Sequence, residues 1–289
     1  MRARVLEVLG EQAWVVDDGG QRHVCQFRGR LRRAVGQVLA GDWVDVRPAE
    51  PVGMIEQVLP RHNHLVRPPL ANADGLLAVF SPVEPPGSVA LLDRRLVTAE
   101  LMGLRAAIVM TKRDLWEARP GVWERMAPWR ALYPTVAVST VSTEGVDLVP
   151  GLLGTAVWVM AGESGVGKTS LLGRLLPAGR AGAVGALSER TGRGRHTTRT
   201  VALSPVGKGW LADAPGFTQL DLPPHDSLEL RDAFPEWRGA GCRYADCRHL
   251  DEPGCAVPDL LGRGVVSQER YQHYRLLQQE PPPRHRAWG

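Results

Sequence analysis

Short apolar runs separated by turn residues characterise the chain up to about residue 65. The runs are residues 4–9, 13–16, 23–27, 43–47 and 54–59, and glycine or aspartate follows most of them. Such short, β-rich runs are typical of strands that bury one face. Five short strands at this spacing predict a small closed β-barrel of the OB type, although an SH3-like barrel would have the same pattern.

After residue 65 short apolar runs alternate with longer segments of helical periodicity. Buried strands are predicted at residues 75–80, 106–110, 136–138, 156–160 and 210–212. Helices are predicted between strands at residues 89–104 and after the fourth strand at 170–176. Strand and helix alternating in this way predict an α/β domain with a mostly parallel sheet.

The pattern changes again after residue 222, where Pro223 and Pro224 interrupt the chain. Helices are predicted at residues 228–233 and 267–280, with a group of cysteines between them. These changes predict three domains. They are an OB-type β-barrel at residues 1–65, an α/β domain at 66–222, and a mostly helical domain with a C-terminal helix at 223–289.

The composition is that of a globular protein, with 44% apolar and 23% charged residues among 289. No apolar run approaches the roughly 18 residues that a membrane span requires. Glu7 interrupts the segment in which a signal peptide would be apolar. We therefore expect a cytoplasmic, monomeric protein with no membrane partner.

The net charge of +4 is compatible with a nucleic-acid partner but does not establish one. Arginine supplies almost all of the positive charge. The loop after the third predicted strand holds Arg28, Arg30, Arg32 and Arg33. Two interpretations remain open, a solvated basic loop and an RNA-binding face on which the arginines contact phosphates.

A phosphate-binding loop is the strongest motif in the chain. Residues 162–169 match the P-loop pattern G-x-x-x-x-G-K-[ST] at every defined position, between a predicted strand and a predicted helix. Its glycines let backbone N–H groups surround phosphate oxygens, and the following helix N-terminus adds positive potential. Lys168 is expected to reach the outer phosphates, and Thr169 to ligate Mg²⁺ bound with the nucleotide.

A guanine-recognition motif follows the predicted strand at residues 106–110. Thr111, Lys112 and Asp114 fit the pattern [NT]-K-x-D. The Asp114 carboxylate can accept hydrogen bonds from the N1–H and amino groups of guanine, a pair of donors that adenine lacks. Ser139 and Thr140, at the end of another predicted strand, are expected to form the loop behind the base.

The segment Asp213-Ala214-Pro215-Gly216 follows the last predicted strand and fits D-x-x-G. We expect Asp213 on the Mg²⁺ side of the site and the Gly216 N–H at the γ-phosphate. Residues 179–200 are predicted to form a switch loop that orders around γ-phosphate and Mg²⁺. Within it Thr198 is the favoured Mg²⁺ ligand, with Thr197 as the second choice.

Phe217 stands where many GTPases carry the glutamine that orients the attacking water. Phenylalanine has no polar atom for that work, so another side chain must supply it. His196, in the switch loop, is the nearest candidate for a catalytic group.

The order of these motifs is unusual, because the guanine-recognition motif precedes the phosphate loop by about fifty residues. Each motif still follows a strand. The same nucleotide site can therefore form if the chain is opened elsewhere and its former termini are joined, as in a circular permutation.

The cysteine cluster has the spacing of a structural zinc site. Three thiols and one imidazole, from Cys242, Cys247, His249 and Cys255, complete a tetrahedral shell with no open position. In a module with little core of its own, one zinc ion per chain would supply folding free energy.

Together these motifs resemble the RsgA family, also called YjeQ or EngC, of circularly permuted GTPases that depend on the small ribosomal subunit. The resemblance covers essentially the whole chain. It is carried by TKRD, AVSTVSTEGVD, GESGVGKTSL, GRHTTR, DAPGF and CRYADCRHLDEPGCAV. Thr111 departs from the family, where Asn is commoner, and is expected to loosen base binding.

The resemblance implies an N-terminal OB domain, a central permuted GTPase and a C-terminal zinc domain in a bacterial, cytosolic protein. It implies GTP hydrolysis to GDP and phosphate, late maturation of the small ribosomal subunit, contact with its rRNA, and stimulation by that subunit. It also implies that His196 is the catalytic group. The residues expected to bind nucleotide are Gly162, Glu163, Ser164, Gly165, Val166, Gly167, Lys168, Thr169, Ser170, Thr111, Lys112, Asp114, Ser139, Thr140 and Gly216.

Two functions are alternatives to GTP hydrolysis. A nucleic-acid-binding module could hold nucleotide as a structural or regulatory ligand with insignificant hydrolysis. An ATP-dependent kinase is disfavoured by TKRD and by D-x-x-G. GTP turnover with and without small subunits distinguishes the first alternative.

Overall fold

The computed structural model describes residues 1–27, 37–176, 201–213 and 222–281. The predicted arginine-rich loop and switch loop lie outside the described residues, and so do Gly216 and Phe217. The described parts form two compact units. One holds residues 1–75, 147–160 and 169–217, and the other holds 76–146, 161–168 and 218 onwards.

The strands fall where the apolar runs predict them, with a few additions. They are β1 (Arg2–Leu9), β2 (Gln12–Asp17), β3 (Arg22–Gln26), β4 (Trp43–Arg47), β5 (Gly53–Val58), β6 (His64–Leu65), β7 (Leu70–Ala71), β8 (Gly75–Phe80), β9 (Arg105–Met110), β10 (Thr135–Ala137), β11 (Val157–Ala161), β12 (Ala202–Val206) and β13 (Gly209–Asp213).

The helices likewise include the predicted ones. The α-helices are α1 (Val89–Leu101), α2 (Val122–Arg125), α3 (Ala127–Arg130), α4 (Val149–Leu153), α5 (Lys168–Leu175), α6 (Ser227–Asp232), α7 (Val257–Gly262) and α8 (Gln268–Gln279). Short 3₁₀ turns occupy Arg113–Ala118, Val146–Leu148 and Pro235–Trp237. No helix among the described residues is long and apolar enough to cross a membrane.

The first unit begins with a closed β-barrel. Strand β1 pairs antiparallel with both β2 and β4, and β3 pairs in parallel with β5. The barrel order β1-β2-β3-β5-β4-β1 closes the sheet on itself and confirms the OB-type expectation over the SH3-like alternative. Alternate residues such as Val5, Val15 and Ile55 point inward and form the barrel core.

Strand β12 is an element that the sequence pattern did not predict. It pairs antiparallel with β13 throughout, and Ala202 also faces Glu7 of β1. Pro205 is unusual within a strand, because proline cannot donate to a ladder. It is tolerated because the pairing with β1 involves only Ala202. In the same unit β11 and β13 run parallel and end at the same edge.

In the second unit β8, β9 and β10 lie side by side, and β9 and β10 are parallel. Every residue of β8 is buried, as expected of a strand covered on both faces. Helix α1 connects β8 to β9, and the Ser88 hydroxyl caps it by accepting the Leu91 N–H. This is the α/β arrangement that the alternating pattern predicted.

The C-terminal segment packs on α1 within this unit. Val97 of α1 belongs to one apolar cluster with Phe234, Trp237 and Tyr274. Phe234 and Trp237 are stacked with ring centroids 4.9 Å apart. Aromatic side chains of this size supply much of the burial available to a small module.

A buried ionic network joins α1 to α8 as well. Asp93 of α1 is fully buried, accepts a hydrogen bond from Trp129 Nε1 at 2.6 Å, and lies 2.6 Å from His273 Nδ1. Arg270 of α8 pairs with Asp93, and its Nε donates to Glu236 at 2.5 Å. Buried charges persist only when they are paired and hydrogen-bonded, so the network orients α8 on α1.

Candidate nucleotide site and metal centre

The predicted phosphate loop lies between β11 and α5. A Cβ atom added at Gly162 would collide with the Val79 carbonyl oxygen, and Gly165 and Gly167 have φ of +79° and +97°. Glycine is therefore required at the first position for space and favoured at the other two for backbone conformation. The loop has the local structure that the motif predicts.

Lys168 lies across this loop. Its Nζ donates to the carbonyl oxygens of Gly162 and Glu163 at 2.6 and 2.7 Å. Ser164, Gly165, Thr169 and Ser170 are exposed. The loop thus holds an ammonium group beside backbone and hydroxyl groups that solvent reaches, an arrangement suited to an anionic ligand.

The predicted guanine-recognition loop is tied directly to the phosphate loop. Thr111 is buried, and its Oγ1 donates to the Val166 carbonyl at 2.6 Å. Lys112 adopts a left-handed φ of 58°, and its Nζ donates to the Glu84 carbonyl at 2.6 Å. The Thr111 hydroxyl therefore links the predicted guanine-recognition loop to the phosphate loop, although the two are far apart in sequence.

Asp114 and Ser139 also meet, as their positions after neighbouring strands predict. The Ser139 hydroxyl donates to Asp114 Oδ1 at 2.5 Å and accepts the Ser142 N–H at 3.1 Å. Arg113 N–H donates to the Val138 carbonyl at 3.1 Å. The two loops are therefore joined, with an exposed carboxylate at their junction and the half-buried Thr140 beside it.

The remaining nucleotide-site predictions are only partly described. Strand β13 ends at Asp213, as D-x-x-G following a strand requires. Gly216 and Phe217, and the switch residues His196, Thr197 and Thr198, lie outside the described residues.

The four predicted metal ligands converge at the other candidate site. Their ligand atoms all lie within 4.8 Å of one another. The Sγ atoms of Cys242, Cys247 and Cys255 are 3.4, 3.6 and 3.6 Å from His249 Nδ1. Tetrahedral bonds of about 2.3 Å to sulfur and 2.1 Å to nitrogen separate such atoms by about 3.6 Å, so the donor set fits zinc.

Hydrogen bonds to the backbone shape the cluster. His249 has a left-handed φ of 58°, and its carbonyl accepts the Tyr271 hydroxyl at 2.8 Å. The Ala256 N–H donates to Cys242 Sγ at 3.3 Å. Burial would raise the pKa of Glu252, but N–H groups of Leu250 and Arg248 outweigh that effect and lower the pKa to about 2. The Glu252 carboxylate therefore stays charged and holds the loop through these hydrogen bonds.

The thiols themselves need a cation to ionise. Burial, reinforced by the neighbouring thiols, raises the pKa of Cys255 to about 12, and burial raises that of Cys247 as well. At neutral pH such groups would remain protonated, whereas a divalent cation displaces the protons and holds the thiolates. The donor chemistry thus agrees with a closed, structural metal centre.

Two features of the site were missed at the sequence level. One is the function of Thr111 as a tether to the phosphate loop. The other is the Glu163 side chain, which accepts the Ser88 N–H at 2.7 Å. Neither contact has a local sequence signal, since the paired residues are 55 and 75 positions apart.

Comparisons with known proteins agree with this architecture. A family model described as RsgA GTPase matches residues 58–223, more than half of the chain. The "Small ribosomal subunit biogenesis GTPase RsgA" of Carboxydothermus hydrogenoformans is 38% identical over 274 residues, covering 92% of this chain and 93% of that protein. The protein of the same name from Moorella thermoacetica is 38% identical over 286 residues, covering 96% of each.

Two solved structures are similar over nearly the whole chain. YjeQ from Thermotoga maritima has a TM-score of 0.80 and 31% identity, covering 96% of each chain. YloQ, described as a circularly permuted GTPase, has a TM-score of 0.80 and 28% identity, covering 98% of this chain and 96% of its own. These similarities agree with the permuted order of the motifs.

Proposed function

Since this chain belongs to the RsgA GTPase family and is a GTPase of small ribosomal subunit biogenesis, we propose that its hydrolysis of GTP to GDP and phosphate takes place late in the maturation of that subunit. We propose further that the subunit stimulates the reaction. The observation that carries the proposal is the hydrogen bond between Thr111 and Val166, which joins a guanine-recognition loop to a phosphate loop. A cytoplasmic, monomeric protein accords with this function.

The nucleotide would be bound from both ends. Asp114 accepts hydrogen bonds from guanine, while Ser139 orients that carboxylate and Thr140 backs the base. Backbone N–H groups of residues 162–168 surround the phosphates, with Lys168 at the outer ones. Ser170 extends the phosphate contacts into the first turn of α5, and the Gly216 N–H meets the γ-phosphate.

Mg²⁺ is proposed to bind with the nucleotide. Thr169, at the exposed start of α5, Asp213, at the end of β13, and Thr198 would hold it. When bound, the ion neutralises charge on the phosphates. Lys168 and the loop N–H groups stabilise the charge that develops on the γ-phosphate, and His196 orients the attacking water.

The two flanking modules are proposed to hold rRNA. The barrel at residues 1–65 offers exposed Trp14, and Arg2 and Arg4 stack on Trp43 at 4.2 and 4.3 Å. The zinc-binding module at 223–289 offers exposed Tyr244, stacked with Arg243, and Arg248, which lines the same surface cavity as Tyr244. Aromatic rings and arginines together suit single-stranded RNA, and two linked sites gain through effective concentration. The permuted GTPase domain at 66–222 lies between them in sequence.

GTP turnover titrated with purified small subunits tests this function. We expect saturable stimulation, with a midpoint that shifts to higher subunit concentration as salt is raised, because phosphate contacts release counterions. Truncation of either flanking module should shift the midpoint to higher subunit concentration without abolishing GDP binding. Turnover indifferent to subunits would favour a nucleic-acid-binding module that keeps nucleotide as a ligand, and a midpoint indifferent to salt would contradict phosphate recognition.

Base choice is expected to depend on Asp114. GDP should bind roughly 10⁴-fold tighter than ADP, because adenine leaves the carboxylate without its paired donors. Asp114→Asn should shift the preference toward xanthosine diphosphate, whose added carbonyl can accept from the new amide. Titration calorimetry with the three nucleotides measures this, with exposed Asp18→Asn in the barrel as a matched control. Equal affinity of the wild-type protein for GDP and ADP would refute the assignment.

A further inference from the structure

Glu163 occupies one of the unspecified positions of the phosphate loop, and its side chain turns toward α1. Its Oε2 accepts the Ser88 N–H at 2.7 Å. Ser88 is the N-cap of α1, a helix of 13 residues, and its hydroxyl accepts the Leu91 N–H at 3.3 Å. A carboxylate at this position is favoured by the unpaired N–H groups and the dipole of the helix.

A buried arginine on the same helix adds to this contact. Arg95 is 3% exposed. Burial lowers the pKa of Arg95, and the negative charge of Glu163 raises it. A guanidinium so deeply buried needs an anion nearby to remain charged at low cost. The negative charge of Glu163 contributes to this stabilisation, and the positive charge of Arg95 partly offsets the charge that Glu163 brings to a phosphate-binding loop.

The backbone of Glu163 contacts the phosphate-binding lysine. The Glu163 carbonyl accepts the Lys168 Nζ at 2.7 Å, beside the Gly162 carbonyl at 2.6 Å. Glu163 therefore contacts the N-terminus of α1 through its side chain and the Lys168 ammonium group through its carbonyl. Because both contacts belong to one residue, the side-chain contact with Ser88 restricts where the Glu163 carbonyl can lie.

We propose that Glu163 is a positioning residue for Lys168: its carboxylate, fixed by the Ser88 N–H and balanced by Arg95, sets the place of the ammonium group that meets the nucleotide phosphates. The proposal rests on the proposed nucleotide-binding function and deepens it. The Glu163 side chain needs no contact with the nucleotide for this role, whereas its backbone N–H belongs to the phosphate loop.

The test is GDP affinity, measured with the full-length, metal-loaded protein in the presence of Mg²⁺. Glu163→Ala should weaken GDP binding about 10-fold, the scale of one lost charged hydrogen bond. Glu163→Gln keeps an oxygen acceptor for the Ser88 N–H but loses the charge near Arg95, so it should weaken GDP binding less than Glu163→Ala does. Exposed Glu124→Gln on α2 is the matched control and should bind as wild type does.

A double-mutant cycle with Lys168→Ala separates positioning from general support of the fold. If Glu163 acts through Lys168, Glu163→Ala should weaken GDP binding no further once Lys168 is alanine. Equal losses in both backgrounds, or wild-type affinity in Glu163→Ala, would overturn the proposal. Failure of the wild-type protein to bind GDP would instead refute the nucleotide-binding function itself.

A second pair of variants leaves the charges of Glu163 and Arg95 unchanged. Ser88→Pro deletes the N–H that Glu163 accepts and keeps both charges, and the φ of −78° at this position suits proline. Ser88→Ala deletes only the capping hydroxyl and keeps the N–H. We expect Ser88→Pro to weaken GDP binding several-fold more than Ser88→Ala. Equal affinities in these two variants would contradict the tether.

Discussion

Loss of the metal centre is expected to unfold the C-terminal module and to leave the phosphate loop able to bind GDP. The wild-type protein should carry about one zinc ion per chain, and Cys247→Ala or Cys255→Ala should carry almost none. Structural zinc in small modules contributes on the order of 10 kcal/mol of apparent folding free energy at neutral pH. The remaining core, built around Phe234, Trp237 and Tyr274, is too small to replace it.

Metal analysis of freshly purified protein, thermal unfolding and GDP titration measure the three parts of this expectation. Cys25→Ala is the matched control, because Cys25 is a fully buried cysteine of the barrel core that belongs to another cluster. That variant should keep its zinc. Wild-type protein without zinc, or a Cys255→Ala variant that retains a full equivalent, would refute the site.

Replacement of His196 by alanine is expected to remove roughly 10²-fold or more of the GTPase rate stimulated by the small subunit. GTP hydrolysis needs an aligned water as well as charge stabilisation at the γ-phosphate. Phe217 cannot align water, whereas His196 lies in the segment that the sequence predicts to close over the γ-phosphate. His196 lies outside the described residues.

His196→Ala should keep its affinity for GTP and Mg²⁺, because neither the phosphate loop nor the guanine-recognition loop changes. The unstimulated rate should fall less, since a switch that is rarely closed holds the imidazole away most of the time. Single-turnover measurements with and without small subunits separate these rates, and His62→Ala in an exposed connection serves as a control. A stimulated rate equal to that of wild type would show that another residue or the ribosomal particle orients the attacking water.

The contact made by Thr111 could not be predicted from its motif. The motif located the residue, and its difference from asparagine suggested looser base binding. The structure adds that its hydroxyl donates to the Val166 carbonyl 55 positions away, so the threonine still ties the two loops together. That Thr111 loosens base binding stays a prediction, because the contact joins two protein loops and does not involve the base.

The sequence by itself determined those features that depend on local spacing. Alternating apolar residues predicted β1 to β5 to within a residue or two, because one buried face imposes a period of two. A continuous apolar run predicted β8, which is buried on both faces. The glycines and Lys168 predicted the phosphate loop, and the Cys and His spacing predicted the metal cluster. Each depends on backbone geometry or ligand chemistry within a few residues of chain.

Only the tertiary structure decided the pairings between distant segments. The closure of β1 on β4 and the parallel pairing of β3 with β5 distinguish the OB-type barrel from the SH3-like one. Strand β12, despite Pro205, is held by its ladder with β13. The contacts of Glu163 with Ser88 and of Asp93 with Arg270 span 75 and 177 positions. Such contacts depend on how the whole chain folds back on itself, and no local pattern of residues encodes which of the many possible partners a buried carboxylate or a strand edge will meet.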